Sequence, residues 1–142
     1  MSLVQTDITL KNALDKMKAE EGLIKKTDVR EMTVKALVDT GAWTLVINNA
    51  VREQLGLEKA GIEEGTLADG SKAVYDMAGP LEVWWKNRRV LLDALVLPNA
   101  DEVLLGAIPL EAMDLMVNPR RELVGAHGDK SMHKIYCIRE IK

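Results

Sequence analysis

The sequence contains no phenylalanine, one cysteine, two histidines and four prolines in 142 residues. Without phenylalanine, a core has to be built from Val, Leu, Ile, Ala and Met. The single cysteine, Cys137, excludes an internal disulfide. Two histidines and one cysteine give no ligand spacing for a zinc site. An excess of one charge is also missing. Lys and Arg number 19 against 22 Asp and Glu, and a net charge of −3 leaves no electrostatic footprint for nucleic acid. No apolar run approaches the ~18 residues of a membrane span. The first residues reach Asp7 and Lys11 without the apolar core of a signal peptide. A cytoplasmic protein with no nucleic-acid or membrane partner is expected. What is present is a 47% share of apolar residues, which excludes disorder, in a length that suits one domain.

Along the chain, Ile8 and Leu10 alternate with polar residues as a strand exposed on one face. Ala13 to Glu21 holds helix formers, with Leu14 and Met17 three apart on one side, and Gly22 ends the segment. Lys25 to Arg30 reads as a solvated charged connector. A strand over Val34–Asp39 and a β-rich run over Trp43–Ile47 follow. Asn48 or Asn49 caps a short helix that Gly56 closes after Leu55. Ile62 to Ala78 reads as a hairpin, with Asp69-Gly70 suited to a two-residue type I′ turn. Gly79-Pro80 is expected to be a turn. Leu81–Trp85 and Arg89–Leu97 form a second hairpin, with Arg88 and Arg89 as solvated turn residues and Trp84 and Trp85 on opposite faces. Val103–Leu105 is a short strand ending at Gly106, and Pro109 sits at a helix start. Leu115–Val117 and Leu123-Val124 are further short strands. His127 lies in a polar loop, and Ile135–Ile141 reads as a terminal strand.

The stretch that organises this pattern is Val34 to Ala42. An apolar strand runs directly into Asp39, Thr40 and Gly41. A carboxylate at the end of such a strand is costly to desolvate and needs partners or a task. Gly41 allows a tight bend and the close approach of another backbone. Asp-Thr-Gly is also an ordinary turn, so the tripeptide alone does not decide between the two readings.

Three features stand in one order: Asp39-Thr40-Gly41-Ala42 after a strand, a Gly-tipped hairpin about thirty residues later, and Leu104-Leu105-Gly106 leading into a short helix. Together they resemble the retropepsin-like aspartic proteases, the single-lobe relatives of pepsin, and the small bacterial group of that clan in particular. The segments that carry the resemblance are Ala36–Ala42, Ala68–Gly70, Gly79-Pro80, Leu104–Glu111 and Asp114–Pro119. The resemblance implies a mostly β, closed barrel-like single lobe with one or two short helices. It implies one domain over 1–142, with an extension over 1–30, a core over 34–124 and a loop and strand over 125–142. It implies Asp39 as the catalytic acid, supported by Thr40, Gly41 and Ala42. A flap would hold Ala68, Asp69, Gly70 and Ser71, and a ψ-shaped loop Leu104, Leu105 and Gly106. Trp43 departs from the retroviral pattern, where a small or polar residue is usual. Its indole would line a substrate pocket or block it.

Amide hydrolysis by carboxylates needs two of them, one as base toward water and one as acid. Two carboxyls ~3 Å apart share one proton and titrate as a pair. The chain has only one Asp-Thr-Gly. Its acid therefore meets a partner only as Asp39 of a second chain, in a two-fold homodimer acting on an extended peptide. No metal or organic cofactor is implied. The alternatives are a catalytically inactive dimerisation or peptide-binding domain on the same fold, and a small structural or regulatory β domain in which Asp39 only caps a turn.

Overall fold

The alternation of apolar and polar residues decides which side of each strand faces inward. The computed structural model describes residues 4–66 and 69–127. In Val4–Asn12 (β1), Ile8 and Leu10 are buried while Gln5 and Asp7 are exposed. A helix, Ala13–Glu20 (α1), and a 3-10 turn at Lys26–Asp28 lead into Glu31–Val38 (β2). Leu45–Ile47 (β3), the helix Asn49–Leu55 (α2), Glu58–Thr66 (β4), Lys72–Trp85 (β5) and Arg88–Val96 (β6) follow. Val103–Leu105 (β7), the helix Ala107–Ala112 (α3), Leu115–Val117 (β8) and Leu123–Gly125 (β9) complete the described chain.

Six of these strands close on themselves. β1 pairs antiparallel with β2, and β2 parallel with β7. β7 runs antiparallel to β3, and β3 parallel to β6. β6 is antiparallel to β5, and β5 returns antiparallel to β1, with Thr9 opposite Trp84 and Asn12 opposite Leu81. Closure removes the free edges that an open sheet would expose. The expected mostly β barrel with short helices is the fold observed, and β1 is one of its staves. β4 lies outside the ring and pairs only with β5, while β8 and β9 form a separate two-stranded sheet.

The interior is aliphatic, as the lack of phenylalanine requires. Leu10, Ala36, Leu45, Ile47, Leu81, Val83 and Leu105 are wholly buried, and Trp85 adds the largest apolar side chain. Each such aliphatic side chain contributes ~1.5–3 kcal/mol relative to exposure.

Several local expectations are revised. The second strand of the central pair begins at Leu45, and Trp43 stands in the bend before it. Gly79-Pro80 lies inside β5, where the register with β6 shifts between Ala78 and Leu81. Proline lacks an N–H and is tolerated in a sheet at such an irregularity. Among the described residues the last pair of the first hairpin is Thr66 opposite Lys72. Asp69 Oδ1 accepts the Ser71 backbone N–H at 2.9 Å, a local turn that competes with the type I′ geometry. Leu67, Ala68, Cys137 and the expected strand Ile135–Ile141 lie outside the described residues.

Two residues expected to be solvated, Arg30 in the connector and Arg88 in a turn, hold elements together instead, and Asn12 does the same. Arg30 turns back on Asp15, donating from Nε (2.8 Å), Nη2 (3.0 Å) and its own backbone N–H (3.0 Å). Asp15 is therefore the inward residue of α1, and Leu14 and Met17 face solvent. Asn12 caps α1 by accepting the Asp15 N–H at 3.0 Å, and its Nδ2 donates to the Leu55 carbonyl at the end of α2 at 2.8 Å. Arg88, expected in a solvated turn, is wholly buried. Its cross-strand partner is Trp85. Directly opposed residues share a face, and that face is the core.

On the outer side of β5, buried Glu82 accepts from Lys16 (3.0 Å), Trp84 Nε1 (2.9 Å) and Arg89 (2.9 Å). Burial pushes the Glu82 carboxyl up, but these donors outweigh it and hold the group below its ordinary range. The hydrogen bonds from Arg30 hold Asp15 low against the opposing effect of burial. A carboxyl depressed in the folded state contributes fully above its unfolded pKa, and that contribution is lost as pH falls through the folded value. The melting temperature is expected to be flat from neutral pH to about 5 and to fall below about 4. Glu82→Gln should cost ~1–3 kcal/mol at pH 7 and flatten this acid limb, as read by circular dichroism melts across pH.

Candidate active site

β2 delivers Asp39 to the end of the barrel wall. The Asp39 N–H donates to the Leu105 carbonyl at 3.0 Å, so the acid continues the parallel pairing of β2 with β7 for one more bond. The chain then turns back. Gly41 N–H donates to Asp39 Oδ1 at 2.9 Å, and Ala42 N–H to the Asp39 carbonyl at 3.1 Å. This short loop leaves Asp39 half-buried and Thr40 and Gly41 exposed. A Cβ added at Gly41 would lie 3.1 Å from Asp39 Oδ1, a tight contact that glycine avoids.

The loop is fixed from behind by the segment that starts α3. Gly106 has no side chain to cap that helix. The acid loop caps it instead: the Ala42 carbonyl accepts the Ala107 N–H at 2.8 Å, and the Trp43 carbonyl accepts the Ile108 N–H at 2.9 Å. Two orphan donors of the helix start are thereby satisfied. A Cβ at Gly106 would collide with the carbonyl oxygens of Thr44 and Ala42, so only glycine fits there. Leu105 is wholly buried and Leu104 half-buried beneath this junction.

Asp39, Gly41, Ala42, Trp43, Leu105, Ala107 and Ile108 thus form one hydrogen-bonded unit drawn from two distant stretches of sequence, with Thr40 exposed within it and Gly106 packed against it. Asp69, Gly70 and Ser71 are exposed at the tip of the β4–β5 hairpin, and among the described residues no hydrogen bond joins them to the acid loop. The Trp43 side chain is 45% exposed beside the acid. On the Thr40 side a groove of about 490 Å³ runs along α3 and the β8–β9 sheet, with Ala107, Leu110, Leu115, Met116 and Leu123 among its lining. Among the described residues no group of three or more His, Cys, Asp or Glu side chains could hold a metal ion. No helix among them is long and apolar enough to cross a membrane. His127 is exposed, with Nδ1 2.8 Å from Asp114 Oδ1.

Sequence reading missed Arg88 and the partners of Gly106. Parity offered a signal for the first: two turn residues after inward-facing Trp85 return the chain to the same face at position 88. For Gly106, no local signal names the carbonyls it must admit.

A barrel that holds an acid on a glycine bend defines a class, and the comparison with known families states it. Residues 26–119 match the family model described as Aspartyl protease. The chain belongs to the aspartyl protease family, the aspartic peptidases among the hydrolases. A solved structure similar to this chain is the crystal structure of a retropepsin-like aspartic protease from Rickettsia conorii. The two are 17% identical over 83% of this chain and 89% of that one, with a TM-score of 0.44. No curated protein matches the sequence.

Gly106→Ala is expected to lower stability by ~1–3 kcal/mol, because backbone on both sides of the contact has to shift. Gly65→Ala is the control, since its Cβ would make only an ordinary 3.6 Å contact with Tyr75, and should change stability by less than ~0.5 kcal/mol. Thermal unfolding of both variants reads the difference.

Proposed function

We propose that the chain is an aspartic endopeptidase that works as a homodimer, with one Asp39 from each copy forming the catalytic pair. The observation that carries this reading is the lone Asp-Thr-Gly, presented by a barrel strand in a loop locked from behind by Leu105–Ile108. One carboxylate cannot serve as both base and acid, and a two-fold axis beside Asp39 supplies the second. The pair shares a proton: one carboxyl activates water and the other polarises the peptide carbonyl.

Thr40 stands on the outward side of the acid, where its hydroxyl meets its counterpart across the axis. Gly41 gives the substrate backbone room, and Ala42 leaves space for a side chain. Leu104, Leu105 and Gly106 hold the acid loop from below. The β4–β5 hairpin serves as the flap over an extended peptide, with Asp69, Gly70 and Ser71 at its tip. Trp43 lines the cleft beside the acid. The groove that begins at Thr40 is the face that meets the second copy. It is apolar, borders the acid and lies where an axis through the pair requires self-contact.

Asp39→Asn keeps the size and most hydrogen bonds of the acid but cannot carry the shared proton. Wild type is expected to sediment as a dimer and to cleave a mixed peptide library best at acidic to mildly acidic pH. Asp39→Asn should reduce cleavage to background while dimerising as well as or better than wild type, because two crowded carboxyls become neutral. Cleavage that survives the substitution would remove Asp39 from the chemistry. A dimer that cleaves nothing would favour the peptide-binding reading. Hydrogen exchange tests the flap. Amides of Ile62–Thr66 and Lys72–Tyr75 should exchange at least tenfold faster than those of Val34–Val38, and equal protection would count against a lid.

A further inference from the structure

Arg88 is the largest wholly buried side chain among the described residues, and it reaches three elements at once. Its Nη1 donates to the carbonyls of Met113 at 2.8 Å and Asp114 at 3.0 Å, where α3 ends and the chain turns toward β8. The Asp114 carboxylate lies 3.8 Å from the same nitrogen. A Cβ on Gly125, at the end of β9, would run into Nη2, so β9 passes directly over the guanidinium. Asp114 sits at φ 56°, in the left-handed region that is uncommon for non-glycine residues though easiest for Asn and Asp, and its surroundings hold it there. Those surroundings are specific. Besides Arg88, the Asp114 carbonyl accepts the Ala126 N–H at 2.8 Å.

Among the described residues the β8–β9 sheet shares no ladder with the barrel. Two strands alone are marginal in water, so their orientation has to come from what lies beneath. Leu115 and Leu123 supply apolar contact, but apolar contact is not directional. The fork of Arg88 is directional. It fixes the turn from which Leu115, Met116 and Val117 run along the groove.

We infer that Arg88 is a positioning residue for self-association: from inside the barrel it sets the angle of the β8–β9 sheet that meets the second copy. The inference rests on the homodimer reading and adds the residue on which the interface depends. The test compares sedimentation equilibrium and thermal unfolding of wild type, Arg88→Lys, Gly125→Ala and Val83→Ala. Lysine keeps the charge but cannot span both carbonyls, and an alanine at 125 displaces the guanidinium from the other side. Both variants should keep the β circular dichroism spectrum and weaken association about tenfold or more. Val83→Ala removes buried volume from the barrel wall without touching the hydrogen bonds of Arg88. It should lower the melting temperature yet leave the dissociation constant within about twofold of wild type. If Arg88→Lys does not fold, Gly125→Ala decides alone. Variants that dimerise like wild type would overturn the inference and leave the dimer standing, as would equal weakening by Val83→Ala. A wild type that stays monomeric at high micromolar concentration would overturn the dimer itself, and this inference with it.

Discussion

Two chain segments meet backbone to backbone at Gly106, where the carbonyls of Ala42 and Thr44 occupy the space a side chain would need. Much follows from that single contact. It lets the Ala42 and Trp43 carbonyls reach the first amides of α3, and those bonds fix the loop that holds Asp39. They also fix the direction in which α3 leaves the barrel, and so where Leu110 and the β8–β9 sheet come to lie. The acid and the groove beside it are rigidly related because one glycine admits two backbones. A catalytic group placed by backbone hydrogen bonds is held more tightly than one placed by flexible side chains, since no rotamer can absorb a displacement.

The polar clamps around the barrel set a condition on any acid chemistry. Asp15 and Glu82 are both held in their charged form by hydrogen bonds from neighbouring donors. They tie the first helix and the Lys72–Trp85 strand to the rest of the fold only while they remain ionised. Acid chemistry in this protein is therefore bounded on the low side by the pH at which the clamps take up protons.

Much of the fold was legible because its signals are local. The alternation at Ile8 and Leu10, the Asn48 cap, the Gly56 stop and the strand into Asp39 each follow from a few neighbouring residues. The acid loop and the Leu104–Gly106 segment were legible as a pair through the resemblance to a known family, not through any periodicity. What stayed hidden depends on partners far away in sequence. Arg30 looked like solvated charge because Asp15 precedes it by a whole helix. Arg88 looked like a turn residue because the carbonyls it serves come 25 residues later. Leu14 and Met17 read as one side of a helix, and nothing local reveals that Asp15, not they, takes the inward position. Charged residues in this protein face inward where a specific hydrogen-bond partner waits, and helical spacing cannot see the partner.

The closure of the barrel by β1 has a consequence for how the protein is made. β1 is the first described element to leave the ribosome, and its second neighbour, Leu81–Trp84, follows about seventy residues later. β2 gains its second neighbour only when Val103–Leu105 has emerged. Until then the nascent chain can form the β1–β2 hairpin, but that hairpin offers two unsatisfied edges to any chaperone or neighbouring chain. The barrel therefore cannot close before Val103–Leu105 is available, and its folding is slowed by the long loops that its first and last pairings must close.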